Sequence, residues 1–178
     1  CQLGLSQVEV ANTSGVHKKE ASSILALRVM CRAADSGYGM GYSYGYSLGH
    51  DLDFFRLGEE ARENALSQLG KQKIESGDKK VVMAPRVFSN LLICAALPSF
   101  LGDNVVEGRS TLHIGKEVAS ESFHLQENPL VETPSGRICD DEGTPSQTVD
   151  LISEKKVKNF LYDNYYGEST ASAIRYFR

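Results

Sequence analysis

Residues 37–49, GYGMGYSYGYSLG, place Gly or Ser at every odd position and Tyr, Met or Leu at every even one. A period of two is the repeat of an extended strand, whose successive side chains point to opposite faces. One face of this strand is therefore bulky and the other nearly bare. A bare face lets another layer, or a peptide backbone, approach closely. The plain reading is a strand packed tightly under a neighbouring element, and the sharper one is a strand facing a ligand. A stacking platform for single-stranded nucleic acid needs Arg and Lys among the aromatics, and the segment contains neither. A phosphate-cradling loop needs G-x-G-x-x-G between a strand and a helix, and Gly37, Gly39 and Gly41 have the wrong spacing.

The flanking residues predict the partners of this strand. Residues 7–11 (QVEVA) alternate as a half-buried strand, Asn12-Thr13-Ser14-Gly15 has turn chemistry, and 16–34 is a long run rich in Val, Ile, Leu and Ala. Together they read as a β-hairpin. Over 53–69 (DFFRLGEEARENALSQL), Phe54, Leu57, Ala61, Ala65 and Leu69 fall on one helical stripe. Asp53 is placed to cap the start and Gly70 the end. The polar stretch Lys71 to Lys80 is the candidate internal boundary. Residues 80–84 read as a short buried strand. A second helix is expected over 86–97, with Pro85 in its first turn, Val87, Phe88, Leu91, Leu92, Ala95 and Ala96 on its apolar side, and Pro98 as its stop. Beyond 104 the pattern is a mosaic of short strand-like runs at 110–114, 117–126, 147–152 and 157–162. In the last two, Leu151, Ile152, Val157, Phe160 and Leu161 also fit helical spacing. The expected fold class is α+β, mixed or antiparallel and rich in β, with two main helices. The expected division is 1–75 and 76–178.

Composition narrows the function classes. Of the 178 residues 41% are hydrophobic and 24% charged, so a buried core is expected. A net charge of −4 gives no general pull toward phosphate backbones. The longest apolar run, Leu91 to Leu97, is far short of a membrane span and suits a core helix. Cys1, Cys31, Cys94 and Cys139 are far apart, with no C-x-x-C pair. They read as reduced thiols rather than a zinc knuckle or a disulfide framework, and a cytoplasmic location is expected. The chain starts at Cys1 without a signal peptide and stops at Arg178, so both ends read as cut, and an internal fragment is expected.

Several stretches in order carry a resemblance: the helix 53–69, LGKQKIESGDKKVVMAP, FLGDNVVEGRSTLHIGKEVAS, QENP, CDDEGTP and LISEKKVKNFLYDNYYGEST. They resemble the TldD/PmbA family, closely over 50–178 and more loosely over 1–49. The resemblance implies a middle-domain segment over 1–75 and the first part of a β-rich C-terminal domain over 76–178. TldD members resemble zinc peptidases with H-E-x-x-x-H on the second helix. Here the matching positions are Ile93, Cys94, Ala95, Ala96, Leu97 and Pro98, with neither His nor Glu. The chain thus looks like the TldE/PmbA side, with no cofactor of its own and zinc expected in a TldD-like partner. That implies a non-catalytic subunit of a peptidase complex, paired with a TldD-like chain or with itself, that binds peptides and neither nucleic acid nor membrane. Strand addition at a sheet edge is compatible with such binding. The family's other name, modulator of DNA gyrase, reflects indirect effects. Arg109, Ser110, Asp141, Glu142 and Gly143 are shared pieces, candidates for shaping the chamber or the interface.

Other chemistry weighs less. Cys94 as a nucleophile needs a nearby His, and within an apolar helix it reads as a small buried hydrophobe. A metal site drawn from His113, His124, Asp140, Asp141 and Glu142 lacks ligand spacing. Asp140-Asp141-Glu142-Gly143 reads instead as a turn whose carboxylates cap backbone N–H groups. Glu154-Lys155-Lys156 reads as a solvated turn.

Overall fold

A computed structural model describes residues 1–166 except 14, 36, 50, 134 and 135. Ser14 of the expected turn and the last residues of the final matching stretch, 167–170, lie outside the described residues. The chain divides into two compact units. One comprises Cys1–Val8 and Ala21–Lys79, the other Glu9–Glu20 and Lys80–Arg178. The fold is α+β with antiparallel sheets, as expected.

The first sheet has the order β1 (Gln2–Ala11), β2 (His17–Ala34), β3 (Tyr38–Ser47). The hairpin between β1 and β2 turns on Asn12, whose N–H donates to the Val16 carbonyl at 3.0 Å and whose Oδ1 accepts from the Val16 N–H at 3.1 Å. β3 pairs antiparallel with the second half of β2, from Leu25↔Ser47 to Ala34↔Tyr38. Helix α1 (Phe54–Leu66) starts where Asp53 Oδ1 accepts from the Arg56 N–H at 2.8 Å. Its buried stripe is Leu57, Ala61 and Ala65. Phe54, expected on that stripe, is exposed, because the stripe runs down a single i, i+4 row and Phe54 lies off it.

This helix lies directly on the bare face of β3. A Cβ at Gly39 would overlap the Ala65 carbonyl, and one at Gly41 the Ala61 carbonyl. Leu57 closes over Gly45, where a Cβ would meet Leu57 Cδ1 at 2.8 Å. Ser43, fully buried between them, donates through Oγ to Glu60 Oε2 at 2.8 Å. The helix also reaches the outer edge of the strand. Asn64 Nδ2 donates to the Tyr42 carbonyl at 3.1 Å and Gln68 Nε2 to the Met40 carbonyl at 2.6 Å. The edge at Met40–Tyr42 is thereby occupied.

The second unit has a different core. Helices α2 (Pro85–Leu91) and α3 (Gly102–Val106) flank a π-helical turn (Leu92–Ala96) and a 3₁₀ turn (Leu97–Phe100). A small sheet of order β4 (Leu125–Glu127), β5 (Val149–Ser153), β6 (Lys156–Val157) follows. Phe100, Val149, Leu151, Ile152, Val157, Phe160 and Leu161 form its core. The last chain segment is tied in where Leu161 N–H donates to the Phe100 carbonyl at 2.9 Å and Gly102 N–H to the Leu161 carbonyl at 2.7 Å. β5 and β6 join through Glu154 and Lys155, both with positive φ (49° and 70°). A two-residue hairpin of this kind matches the right-handed twist of its strands.

Three expectations fail in this unit. Residues 80–84 form no strand among the described residues, and Val82 is fully exposed. Residues 110–114 and most of 117–126 are turns and single bridges. Gly115 N–H donates to the Val157 carbonyl and Val118 N–H to the Lys155 carbonyl, both at 2.9 Å, so these N–H groups are spent without forming a strand. The run 157–162 keeps only β6 and bridges at Leu161 and Tyr162.

Substituting Gly39→Ala or Gly41→Ala is expected to cost roughly 3 kcal/mol, since each methyl meets helix backbone that cannot swing aside. Gly58→Ala in α1, where a Cβ meets nothing within 4 Å, is expected to add about 1 kcal/mol. Urea titration of the three variants distinguishes these opposite signs.

Candidate functional site

The segment that the family resemblance marks is 85–100. Pro85 opens α2 at its first turn, where a missing N–H costs nothing. The α pattern ends at Leu91 because Pro98 lies ahead. Proline donates no hydrogen bond, and its ring crowds the carbonyl four residues back, here that of Cys94. The backbone answers by widening. Leu97 N–H donates to the Leu92 carbonyl, five residues back, and a 3₁₀ turn follows. One helix over 86–97 was expected; three helical pitches are found.

Burial also departs from expectation. Val87, Phe88, Leu91 and Ile93 are each 41–59% exposed, and Cys94 is exposed too. The apolar stripe is therefore not a core stripe, and Cys94 is not a buried hydrophobe. No histidine bonds to Cys94 among the described residues. Of Ile93, Cys94, Ala95, Ala96, Leu97 and Pro98, only Cys94 offers a donor atom for a metal, so these residues do not fit zinc. Among the described residues no group of three or more His, Cys, Asp or Glu side chains could hold a metal ion.

The inner side of the same segment borders an apolar cavity of about 420 Å³, lined by Phe88, Leu92, Phe100, Leu112, Phe123 and Ile152, among others. Phe88 and Phe123 meet edge to face with centroids 6.2 Å apart.

The other marked residues are stitched into the unit. Arg109 pairs with Glu107, and its Nη1 donates to Asn104 Oδ1 at 3.0 Å. Ser110 Oγ donates to the Ser99 carbonyl at 2.7 Å and accepts from the Leu112 N–H at 3.1 Å. Asp140 Oδ1 accepts from the N–H groups of Glu142 (2.9 Å) and Thr144 (2.8 Å), so the acidic run is a turn held by its own first carboxylate. Asp141 pairs with the buried Arg137. Gly143 has φ +85°, and a Cβ there would meet Val16 Cγ1 at 2.7 Å. The segment after the core links both groups: Asn164 N–H donates to Glu142 Oε2 and Tyr166 Oη to Glu107 Oε1, each at 3.1 Å. Nothing in the local pattern around Glu107, Asn164 or Tyr166 announces this link.

His113 and His124 do not converge. His113 is exposed in a loop. His124 Nε2 lies 2.9 Å from Asp150 Oδ1, and Gln126 Nε2 donates to the same oxygen at 2.8 Å. The Gln126 and His124 hydrogen bonds together hold Asp150 below the usual carboxylate range. On the neighbouring position of β4, burial pushes Glu127 above it.

Residues 76–176 match the PmbA/TldA metallopeptidase C-terminal domain, and residues 3–69 match the PmbA/TldA metallopeptidase central domain. An uncharacterized protein of Methanocaldococcus jannaschii is 32% identical over 106 residues, 55% of this chain and 26% of that one. A Thermotoga maritima crystal structure, named as a modulator of a DNA gyrase, superposes with a TM-score of 0.81 at 25% identity, covering 88% of this chain and 37% of that one. TldE from Thermococcus kodakarensis shares the fold, with a TM-score of 0.78 at 22% identity over 96% of this chain and 40% of its own. The chain thus spans well under half the length of each of these relatives.

Two substitutions test the site's framework. Asp140→Ala strands the Glu142 and Thr144 N–H groups and is expected to cost about 1–2 kcal/mol by chemical denaturation. Glu127→Gln acts through pH. A carboxyl with its folded pKa raised costs stability as pH rises through that value, and costs nothing where both states are protonated. The Gln variant is therefore expected to melt higher at pH 7, the gain vanishing below about pH 4.

Proposed function

This chain belongs to the PmbA/TldA metallopeptidase family, and from that premise we propose that its full-length protein is the zinc-free, TldE-like subunit of a two-subunit peptidase acting on peptides. The observation that carries the reading is the chemistry of 93–98. Where the zinc-bearing side of the family places H-E-x-x-x-H, this chain has Ile, Cys, Ala, Ala, Leu and Pro. Cys94 alone offers a donor atom, and one thiol among hydrocarbon side chains neither completes a zinc site nor supplies the carboxylate that activates its water. The same segment leaves the apolar side chains of Val87, Leu91 and Ile93 exposed. That surface suits burial against another polypeptide. The chain's role in the complex is then to complete the enclosure and hold substrate, while the partner supplies metal and hydrolysis. A second reading is a self-associating protein of the same fold that sequesters peptides without cutting them. An independent hydrolase using Cys94 is the weakest, since among the described residues no histidine bonds to the thiol.

The test is co-purification of the full-length protein with an H-E-x-x-x-H chain from the same source, followed by a peptide-cleavage assay. The expected result is a complex that cleaves, and an isolated full-length chain without stoichiometric zinc or activity. Stoichiometric zinc on the isolated chain would overturn the reading. A stable self-associated form that ignores the partner and retains peptides would favour the second one.

A further inference from the structure

The face of β3 that α1 leaves uncovered is not bare of charge. The register places Ala26, Arg28, Met30, Arg32 and Ala34 of β2 beside Tyr46, Tyr44, Tyr42, Met40 and Tyr38 of β3, all on one side of the sheet. Met30 is 62% exposed and Tyr38 69%, and Met40, Tyr42, Tyr44 and Tyr46 are all exposed. Arg32 lies over the Tyr38 ring at 4.7 Å and Arg28 over the Tyr42 ring at 5.3 Å. The basic residues missing from 37–49 are thus supplied by the neighbouring strand. A guanidinium stacked on a ring keeps its N–H edges outward, free for a carboxylate. These ten positions include no carboxylate, and neither arginine has an ion pair among the described residues.

We propose that this face docks an acidic stretch of the peptide substrate, laid across it in extended form; the inference rests on the peptide-handling reading above. Three observations choose the occupant and its posture. First, Asn64 and Gln68 already take the outer carbonyls of Tyr42 and Met40. An extended chain cannot add to that edge there, and must engage the side chains of the face. Second, a second copy laid face to face would bring four guanidinium groups together with no carboxylate between them, whereas an acidic segment neutralises them. Third, Arg28 and Arg32 stand four residues apart on one strand, about 13 Å. Carboxylates four apart on an extended peptide have the same spacing, and each guanidinium can grip one through two parallel N–H···O bonds. Tyrosine, methionine and arginine are also the residues enriched where proteins bind partners.

The experiment uses the full-length protein at about 50 mM salt, where exposed charge pairs are weakly screened. The probes are a fluorescein-labelled peptide of alternating Thr and Val with Glu at two positions four apart, its twin with Lys at those positions, and a labelled oligothymidine. Anisotropy is expected to show the Glu peptide binding at least about 10-fold tighter than the Lys twin. Arg28→Gln with Arg32→Gln is expected to abolish that preference, and Arg28→Lys with Arg32→Lys to keep part of it, because the charge remains but the fork is lost. Circular dichroism shows whether the variants, altered only on an exposed face, stay folded. Equal binding of the twins, an unchanged double Gln variant, or preference for oligothymidine overturns the proposal. No acidic preference in a complex that cleaves peptides overturns this inference alone, whereas a partnered complex that cleaves nothing overturns the reading beneath it.

Discussion

Everything in the first unit follows from the approach of one helix backbone to one strand backbone. At Gly39 and Gly41 no space remains for a single carbon between β3 and the carbonyls of α1. Close contact of this kind is rich in dispersion, because many atoms meet at optimal distance. It also brings the polar groups of both backbones within reach of side chains. Asn64 and Gln68 bond to strand carbonyls only because the helix sits so low. With the glycines facing inward, the tyrosines must face outward, so the exposed aromatic face and the buried small-residue face are one constraint seen from two sides. The contacts join residues 17 to 28 apart in the sequence.

This part of the fold was legible because its signals are local and periodic. A strict two-residue alternation admits one backbone, and an Asp before a helical stripe admits one kind of start. The second unit was less legible. There, Val82, Val87, Leu91 and Ile93 have helical or strand spacing but stay exposed, so pattern alone misjudges their environment. Pro98 marked a stop, yet the adjustment it forces is spread upstream over a π turn, which no residue type in 92–96 announces. The runs 110–114 and 117–126 have strand-like content, but the N–H groups of Ser110, Leu112 and Phe123 turn back on nearby residues, and those of Val118 and Ala119 share the Lys155 carbonyl.

The candidate site divides in the same way. The acidic turn at Asp140 could be read directly, since an Asx carboxylate two and four residues before its N–H donors is a local motif. The link from Glu142 to Asn164 and from Glu107 to Tyr166 could not, because it joins residues 22 and 59 apart in the chain. The arginines over the tyrosines were missed for a similar reason. Their pairing belongs to the register between strands, and a search within 37–49 sees only one strand of the two.

The Gly/Ser–Tyr alternation in β3 has a consequence for how such a chain diverges. Gly39 and Gly41 cannot accept even a methyl group and Ser43 is fully buried, while Tyr38, Met40, Tyr42, Tyr44 and Tyr46 at the even positions are exposed. Selection therefore acts at two speeds along a single strand, switching at every residue. A lineage could remake what this sheet presents to the outside, one even-numbered codon at a time, while the odd-numbered codons stay frozen and the helix never shifts from its seat.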